Sequence, residues 1–195
     1  MSQALTKLAG SFPGLAPRLS LTPEAAAATE GCAQVVEALD RLEAGGLLLE
    51  ATRLVAHALP KREAVWWASM CAVHTAPADL PQADRIAREA AEDWVRQQTE
   101  KSRRVAWDHA QASGCATPEA WVAIAAFWSG DSMSPEGQPA VPPAPHLPGT
   151  AVAGAVALAS VRGDAKRQPT RLRRFLESAR NIAAGGPGRL PAETA

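Results

Sequence analysis

The chain has 195 residues, with 20 Lys+Arg against 20 Asp+Glu, 3 Cys, 16 Pro, 6 Trp and no Tyr. That length suits one domain with a sizeable core, and a formal charge of zero supplies no global field to gather nucleic acid or an anionic membrane. An odd number of cysteines, far apart in sequence, argues against a disulfide framework and for a reducing, cytoplasmic setting. Alanine dominates with 43 residues. It is the best helix former, whereas strand-rich chains favour Val, Ile, Thr and Tyr, so the expected class is all-α. Met1–Gly14 holds one lysine and no sustained apolar stretch, which argues against a signal peptide. The longest apolar run, Thr150–Val161, falls short of the roughly 20 residues a bilayer crossing needs, so no membrane insertion is expected.

Residues 1–21 carry Pro13, Pro17 and no sustained periodicity, and read as an irregular arm. Thr22-Pro23-Glu24 is a helix start: Thr caps, Pro suits the first helical position and Glu the positive end. Gly31 interrupts this helix, and Val35, Val36, Leu39 and Leu42 mark an apolar face that ends at Gly45-Gly46. Leu47–Leu59 is apolar on most of its circumference, the pattern of a central helix. Pro60 ends it and opens Lys61–Thr75, which predicts a tight antiparallel hairpin at the centre of the fold. In this second helix Trp66, Met70 and Val73 share one stripe, and Trp67, Cys71 and His74 the next.

Leu80–Ser113 is long, charged and rich in alanine, with a bend or break expected at Gln97–Arg104. Thr117-Pro118-Glu119 repeats the earlier start signal, and Trp121, Ile124, Ala125 and Trp128 form the inward face of a short helix. A proline-rich loop comes next, over 131–149. Ala151–Val161 is a helix of small residues able to approach a neighbour closely, and Thr170–Ala184 carries Leu172, Phe175, Leu176, Ala179, Ile182 and Ala183 inward. The expected organisation is one helical domain over 22–184, built of stacked antiparallel helix pairs in a HEAT-like manner, with a frayed tail over 185–195.

Four constellations bear on function. Pro139, Pro142, Pro145 and Pro148 recur every third residue, so a polyproline II segment would align them on one edge over roughly 28 Å. Such a rib either docks on a partner's aromatic groove or straps across the domain's own tryptophans. His57, near a helix C-terminus whose dipole favours a protonated imidazole, adjoins Arg62, Glu63, Trp66 and Trp67. That corner either locks the hairpin or offers a recognition patch with Trp and Arg anchors. Charge is segregated: residues 24–50 carry six acids against Arg41, and residues 162–189 carry eight cations, including Arg171 and Arg174, against two acids. The basic helix either meets an acidic protein partner or neutralises the chain's own acidic helices; without a recognition motif or interleaved exposed aromatics, nucleic acid is not expected. Finally, Cys71-x-x-His74 sets a thiol and an imidazole one turn apart. His109 and Cys115 make a poor second half because Gly114 breaks the helix between them, so no metal and no other cofactor is expected. No Cys/His pair has a positioned base and anion hole, and no catalytic residue is nominated.

The run His57-Ala58-Leu59-Pro60-Lys61-Arg62-Glu63-Ala64-Val65-Trp66-Trp67-Ala68 resembles a family of small bacterial helical proteins of uncharacterised function. So does the stretch from Phe127-Trp128-Ser129-Gly130-Asp131-Ser132-Met133 through the prolines to Ala151-Val152-Ala153-Gly154-Ala155-Val156. The resemblance implies a helical fold and association with type VI secretion loci; it implies no reaction and no catalytic residues. The expected function is therefore a non-enzymatic adaptor or accessory protein that binds another protein, a secretion-system component or effector. The alternative is a small-molecule-binding protein or enzyme with a Trp-lined pocket between helices. The oligomeric state is left open by the sequence.

Overall fold

Three threonines set helix boundaries by capping: the hydroxyl oxygens of Thr22, Thr99 and Thr117 accept hydrogen bonds from the backbone N–H of Ala25, Ser102 and Ala120. In the computed structural model, which describes residues 4–193, the helices are α1 (Phe12–Leu15), α2 (Pro23–Ala28), α3 (Val35–Ala44), α4 (Leu48–Ala58), α5 (Lys61–His74), α6 (Gln82–Gln97), α7 (Glu100–Ala112), α8 (Pro118–Trp128), α9 (Leu147–Val161) and α10 (Gln168–Ala183). The protein is all-α: among the described residues the only β pairing is an isolated bridge between Ser11 and Gln34. The expected break in the long charged stretch falls at Gln98, whose left-handed backbone (φ 50°) ends α6 one residue before the Thr99 cap.

The centre of the packing is α9. It lies against α8, α4 and α5, while α6, α7 and α8 form a neighbouring set and α10 covers α4 and α5. Its sequence explains the position. Ala151, Val152, Ala155, Val156 and Ala159 are all buried, and none is large enough to hold a neighbouring helix far away. Gly154 is the tightest point against α8, since a Cβ there would lie 2.9 Å from the Trp121 ring. The helix also starts earlier than its periodicity predicts. Pro148 occupies its first turn, where a missing N–H costs no bond, so the proline loop gives up its last residues to α9.

This arrangement corrects the expected α4–α5 hairpin. Leu59 and Pro60 are both extended (ψ 145° and 143°), and the two helices meet only around that corner. Both instead pack on α9. Two bulky helices bury more side-chain surface against one thin alanine helix than they would edge to edge. The Trp67–Cys71–His74 stripe is buried, and its partner is α10: the Trp67 indole N–H donates to the Phe175 carbonyl at 2.8 Å. Helix α8 is buried on nearly all sides rather than along one face, with Val122, Ala123, Ala126 and Phe127 inside in addition to Ile124 and Ala125.

Both ends of the chain differ from expectation within the described residues; 1–3 of the arm and 194–195 of the tail lie outside them. The arm is not irregular. It folds into two single turns, Thr6–Leu8 and Ala16–Arg18, around α1, and buries Leu8, Phe12 and Leu19. Pro13 and Pro17 sit at the second positions of their turns, where a missing N–H costs no bond. The tail is not frayed either. The Trp66 indole donates to the Pro187 carbonyl (2.8 Å), the Ser178 hydroxyl to the Gly188 carbonyl, and the Glu193 N–H to the His74 carbonyl (2.7 Å). Polar anchors distributed over α5 and α10 thus replace the apolar periodicity that a sequence reading looks for.

The close approach at Gly154 makes a direct prediction. Gly154→Val gains a few tenths of a kcal/mol, roughly, in helix propensity but drives two methyl groups into the Trp121 ring, a clash costing about 1–3 kcal/mol. Urea unfolding should show a lower midpoint with an unchanged slope.

Candidate functional site

The corner at Pro60 faces two ways. His57, at the end of α4, points to the first turn of α9. Arg62, Glu63 and Trp66 point to the opposite side, toward α6 and α10, and Trp67 points into the core. The expected patch is therefore two separate sites, because residues 57 and 62 lie on different helices that diverge at Pro60. Trp67 belongs to neither: it is fully buried and its indole is satisfied by Phe175.

On the α6/α10 side lies an open cleft of about 310 Å³, lined by Lys7, Arg62, Glu63, Trp66, Val95 and Arg96 among others. Trp66 is half-buried, held edgewise by its bond to Pro187. Arg62 is fixed by donating from Nε to the Val95 carbonyl at 2.9 Å, which leaves its two terminal nitrogens available. Glu63 pairs with Lys7 at 3.1 Å, and Arg96 pairs with Asp93 along the exposed face of α6. Three cations and one carboxylate thus frame an indole. Sequence reasoning found Arg62, Glu63 and Trp66 but missed Lys7, Val95 and Arg96, which reach the cleft only because α6 and the N-terminal arm fold against α5.

On the other side, a smaller cavity of about 180 Å³ separates the end of α4 from the start of α5 and the first turn of α9. His57 and Gly149 nearly touch there; a Cβ on Gly149 would lie 2.4 Å from Nδ1 of His57. The helix dipole, which favours a protonated imidazole here, is outweighed. Burial pushes the His57 pKa down to about 4, and the positive charges of Arg18, His146 and Arg53 push the same way.

The proline rib is shorter than its spacing predicts. Pro139 and Pro142 are exposed in an extended stretch, Pro145 sits in a turn, and Pro148 is buried in α9. The four do not share one edge, because the helical register takes over after Ala144. The loop folds back on itself, with the Met133 N–H donating to the Val141 carbonyl at 2.7 Å. Arg103 and Arg104 tether it, donating to the carbonyls of Ser132 (2.7 Å) and Ser134 (2.9 Å). Arg103 is itself 1% exposed, sits 4.5 Å from the centre of the Phe127 ring and also donates to the Phe127 carbonyl, while Trp107 stacks on the same ring at 4.7 Å.

Much of the basic C-terminal charge is turned inward. Arg171 is buried and is corrected from a contact residue to a structural one: it donates to the carbonyls of Ser160 and Arg162 and pairs with Glu193 at 2.7 Å. Its guanidinium bonds hold the Glu193 carboxyl below the usual carboxylate range. Arg180 bridges Asp40 and Glu43 of the acidic segment, and Arg162 pairs with the fully buried Glu119. Arg174 is exposed and makes no ion pair among the described residues.

The Cys71–His74 stripe is not open to solvent. Burial raises the Cys71 thiol pKa well above its ordinary value, which keeps the sulfur protonated and unreactive. His74 is 1% exposed, donates from Nδ1 to the Pro191 carbonyl and meets the Phe175 ring edge-on. Among the described residues no group of three or more His, Cys, Asp or Glu side chains is gathered as a metal site would need. Nor is any helix of the described residues long and apolar enough to cross a membrane. The six tryptophans do not converge on one pocket: Trp67 and Trp94 are core, Trp107 stacks on Phe127, Trp121 abuts Gly154, Trp128 packs half-buried against the core, and Trp66 lines the cleft.

The sequence pattern of a known family, described as Family of unknown function (DUF6931), matches residues 38–183. The chain belongs to this family. The match runs from within α3 to the last residue of α10, so it takes in both helices of the Pro60 corner, the loop and α9. The N-terminal turns and the C-terminal tail lie beyond it, and with them Lys7 of the cleft and Arg18 of the cavity. No curated protein and no solved structure matches the chain.

Two outcomes are expected from these geometries. Arg171→Ala removes the shared donor of the Ser160 and Arg162 carbonyls and leaves Glu193 with Arg167 alone, and should cost about 3 kcal/mol in urea unfolding. It should also release the tail to proteolysis ahead of global unfolding. His57 is neutral in the fold yet ordinary when unfolded, so below pH 6.5 the unfolded chain takes up the proton first. Stability from this group is intact above pH 6.5 and is lost as the pH falls toward about 4. Thermal melts of wild type and His57→Gln should therefore diverge across that window, the wild type falling more steeply.

Proposed function

We propose that this DUF6931 member is a non-enzymatic helical adaptor that binds another protein through the Trp66 cleft. The observation that carries the reading is the cleft's composition: a half-buried indole fixed by its bond to Pro187, lined together with Arg62, Arg96 and the apolar Val95. Trp and Arg are the residues that dominate binding energy at protein interfaces, and here Trp66 and Arg62 are held in place before any partner arrives. With Lys7 paired to Glu63 and Arg96 to Asp93, the Arg62 guanidinium is the cation without a carboxylate, and it selects a partner segment with an acidic side chain. The resemblance of residues 57–68 and 127–156 to bacterial proteins associated with type VI secretion loci supports a secretion-system component or effector as that partner, met in the cytoplasm.

The test is a tagged pull-down from the source bacterium's lysate with wild type and Arg96→Glu in parallel. Arg96 is exposed and paired only along its own helix, so the variant should melt within about 1 °C of wild type, as expected for a surface change of under ~0.5 kcal/mol. Near-stoichiometric recovery of one secretion-system protein by wild type, reduced at least about tenfold in the variant, is the expected result. Equal recovery by both chains, or no protein recovered by wild type, overturns the proposal.

A further inference from the structure

The cavity between α4, α5 and α9 has a one-signed wall. Of the side chains lining it, Arg18 and Lys61 are cationic, His57 is titratable, and none is Asp or Glu. Arg53 adds positive charge just outside, close enough to act on His57. Arg162, Arg171 and Arg180, by contrast, each have a carboxylate within 4.0 Å. Around His57 that compensation is missing. Arg18 makes no ion pair or hydrogen bond among the described residues, and neither does the His57 imidazole although it is half-buried. Lys61 spends one of its three N–H donors on the Ser129 carbonyl at 3.1 Å, leaving two.

The backbone adds to this field. The first turns of α5 and α9 both border the cavity, and neither helix has a side-chain cap on its N-terminal N–H groups. The volume is also selective. At about 180 Å³ the space lies below the roughly 300–1,000 Å³ of pockets for drug-sized ligands, and suits a tetrahedral oxyanion with a short appendage. Gly149 keeps that space open on the α9 side while bringing the helix backbone against the imidazole.

We propose that this cavity binds a small phosphate-type anion, held by the Arg18 guanidinium, the Lys61 ammonium and the His57 imidazole. The site is independent of the Trp66 cleft and lies on the opposite side of the Pro60 corner. A bound dianion supplies the negative charge that the cavity wall lacks. It also reverses the local effect on His57, favouring the protonated imidazole, which then donates to an anion oxygen.

The experiment follows the His57 ring resonances by NMR in the full chain at constant ionic strength, titrating inorganic phosphate and, separately, glycerol phosphate against chloride. The expected result is a saturable shift with either phosphate, and a His57 titration midpoint moved up by about 1–3 pH units. Arg18→Ala should weaken binding at least about tenfold while Arg18→Lys retains most of it. Lys61→Met, on a different element, should weaken binding as well, so the result does not hinge on the docking of the N-terminal arm. Tighter binding of inorganic phosphate assigns the free ion, and tighter binding of glycerol phosphate assigns a monoester. Shifts that fail to saturate, that chloride reproduces, or that persist unchanged in Arg18→Ala and Lys61→Met overturn the proposal.

Discussion

The thinness of α9 is the constraint on which the rest of this structure depends. A helix whose buried face is alanine, valine and glycine lets neighbours come to backbone distance, and three of them do so at once. Because α4 and α5 both seek that surface, they diverge at Pro60 instead of closing on each other. The divergence separates His57 from Arg62 and opens one depression on each side of the corner. A bulkier α9 would push the two helices outward and remove the close approaches at Gly149 and Gly154 together.

Around this apolar centre the protein distributes arginines as fasteners. Arg103 ties the proline loop to α8, Arg162 meets buried Glu119, Arg171 gathers the turn after α9 and the tail, and Arg180 reaches the acidic helix α3. The planar guanidinium suits the task, since one group serves several carbonyls and a carboxylate simultaneously. Charge segregation along the chain thus serves folding first. What is left over is more informative about function than the total: Arg62 beside an indole, and Arg18 beside an unpartnered imidazole.

Helix existence was legible residue by residue. Thr22 and Thr117 announced their caps, the alanine-rich periodicity announced the class, and Gln97–Arg104 announced a break. The ends were not legible, because Leu8, Phe12 and Leu19 are spread over three short turns, and the tail is held through its backbone carbonyls. The candidate site was half legible. Arg62, Glu63 and Trp66 stood out as a local run, whereas Lys7 and Arg96 are distant in sequence and identifiable only once α5, α6 and the arm are assembled. Arg171 looked like its neighbour Arg174 because a helix face cannot be assigned to core or solvent from charge alone.

By itself the sequence determined the all-α class, the positions of the caps and breaks, and the small-residue character of α9, because these rest on interactions within a few residues along the chain. Only the tertiary structure decided that α9 rather than the α4–α5 pair is the centre, which cations are paired internally, and that His57 and Arg62 serve opposite faces. Those outcomes depend on which surfaces meet across long stretches of chain. Helix orientation at Pro60 is set by the competition for burial against α9, a contact that no local pattern encodes.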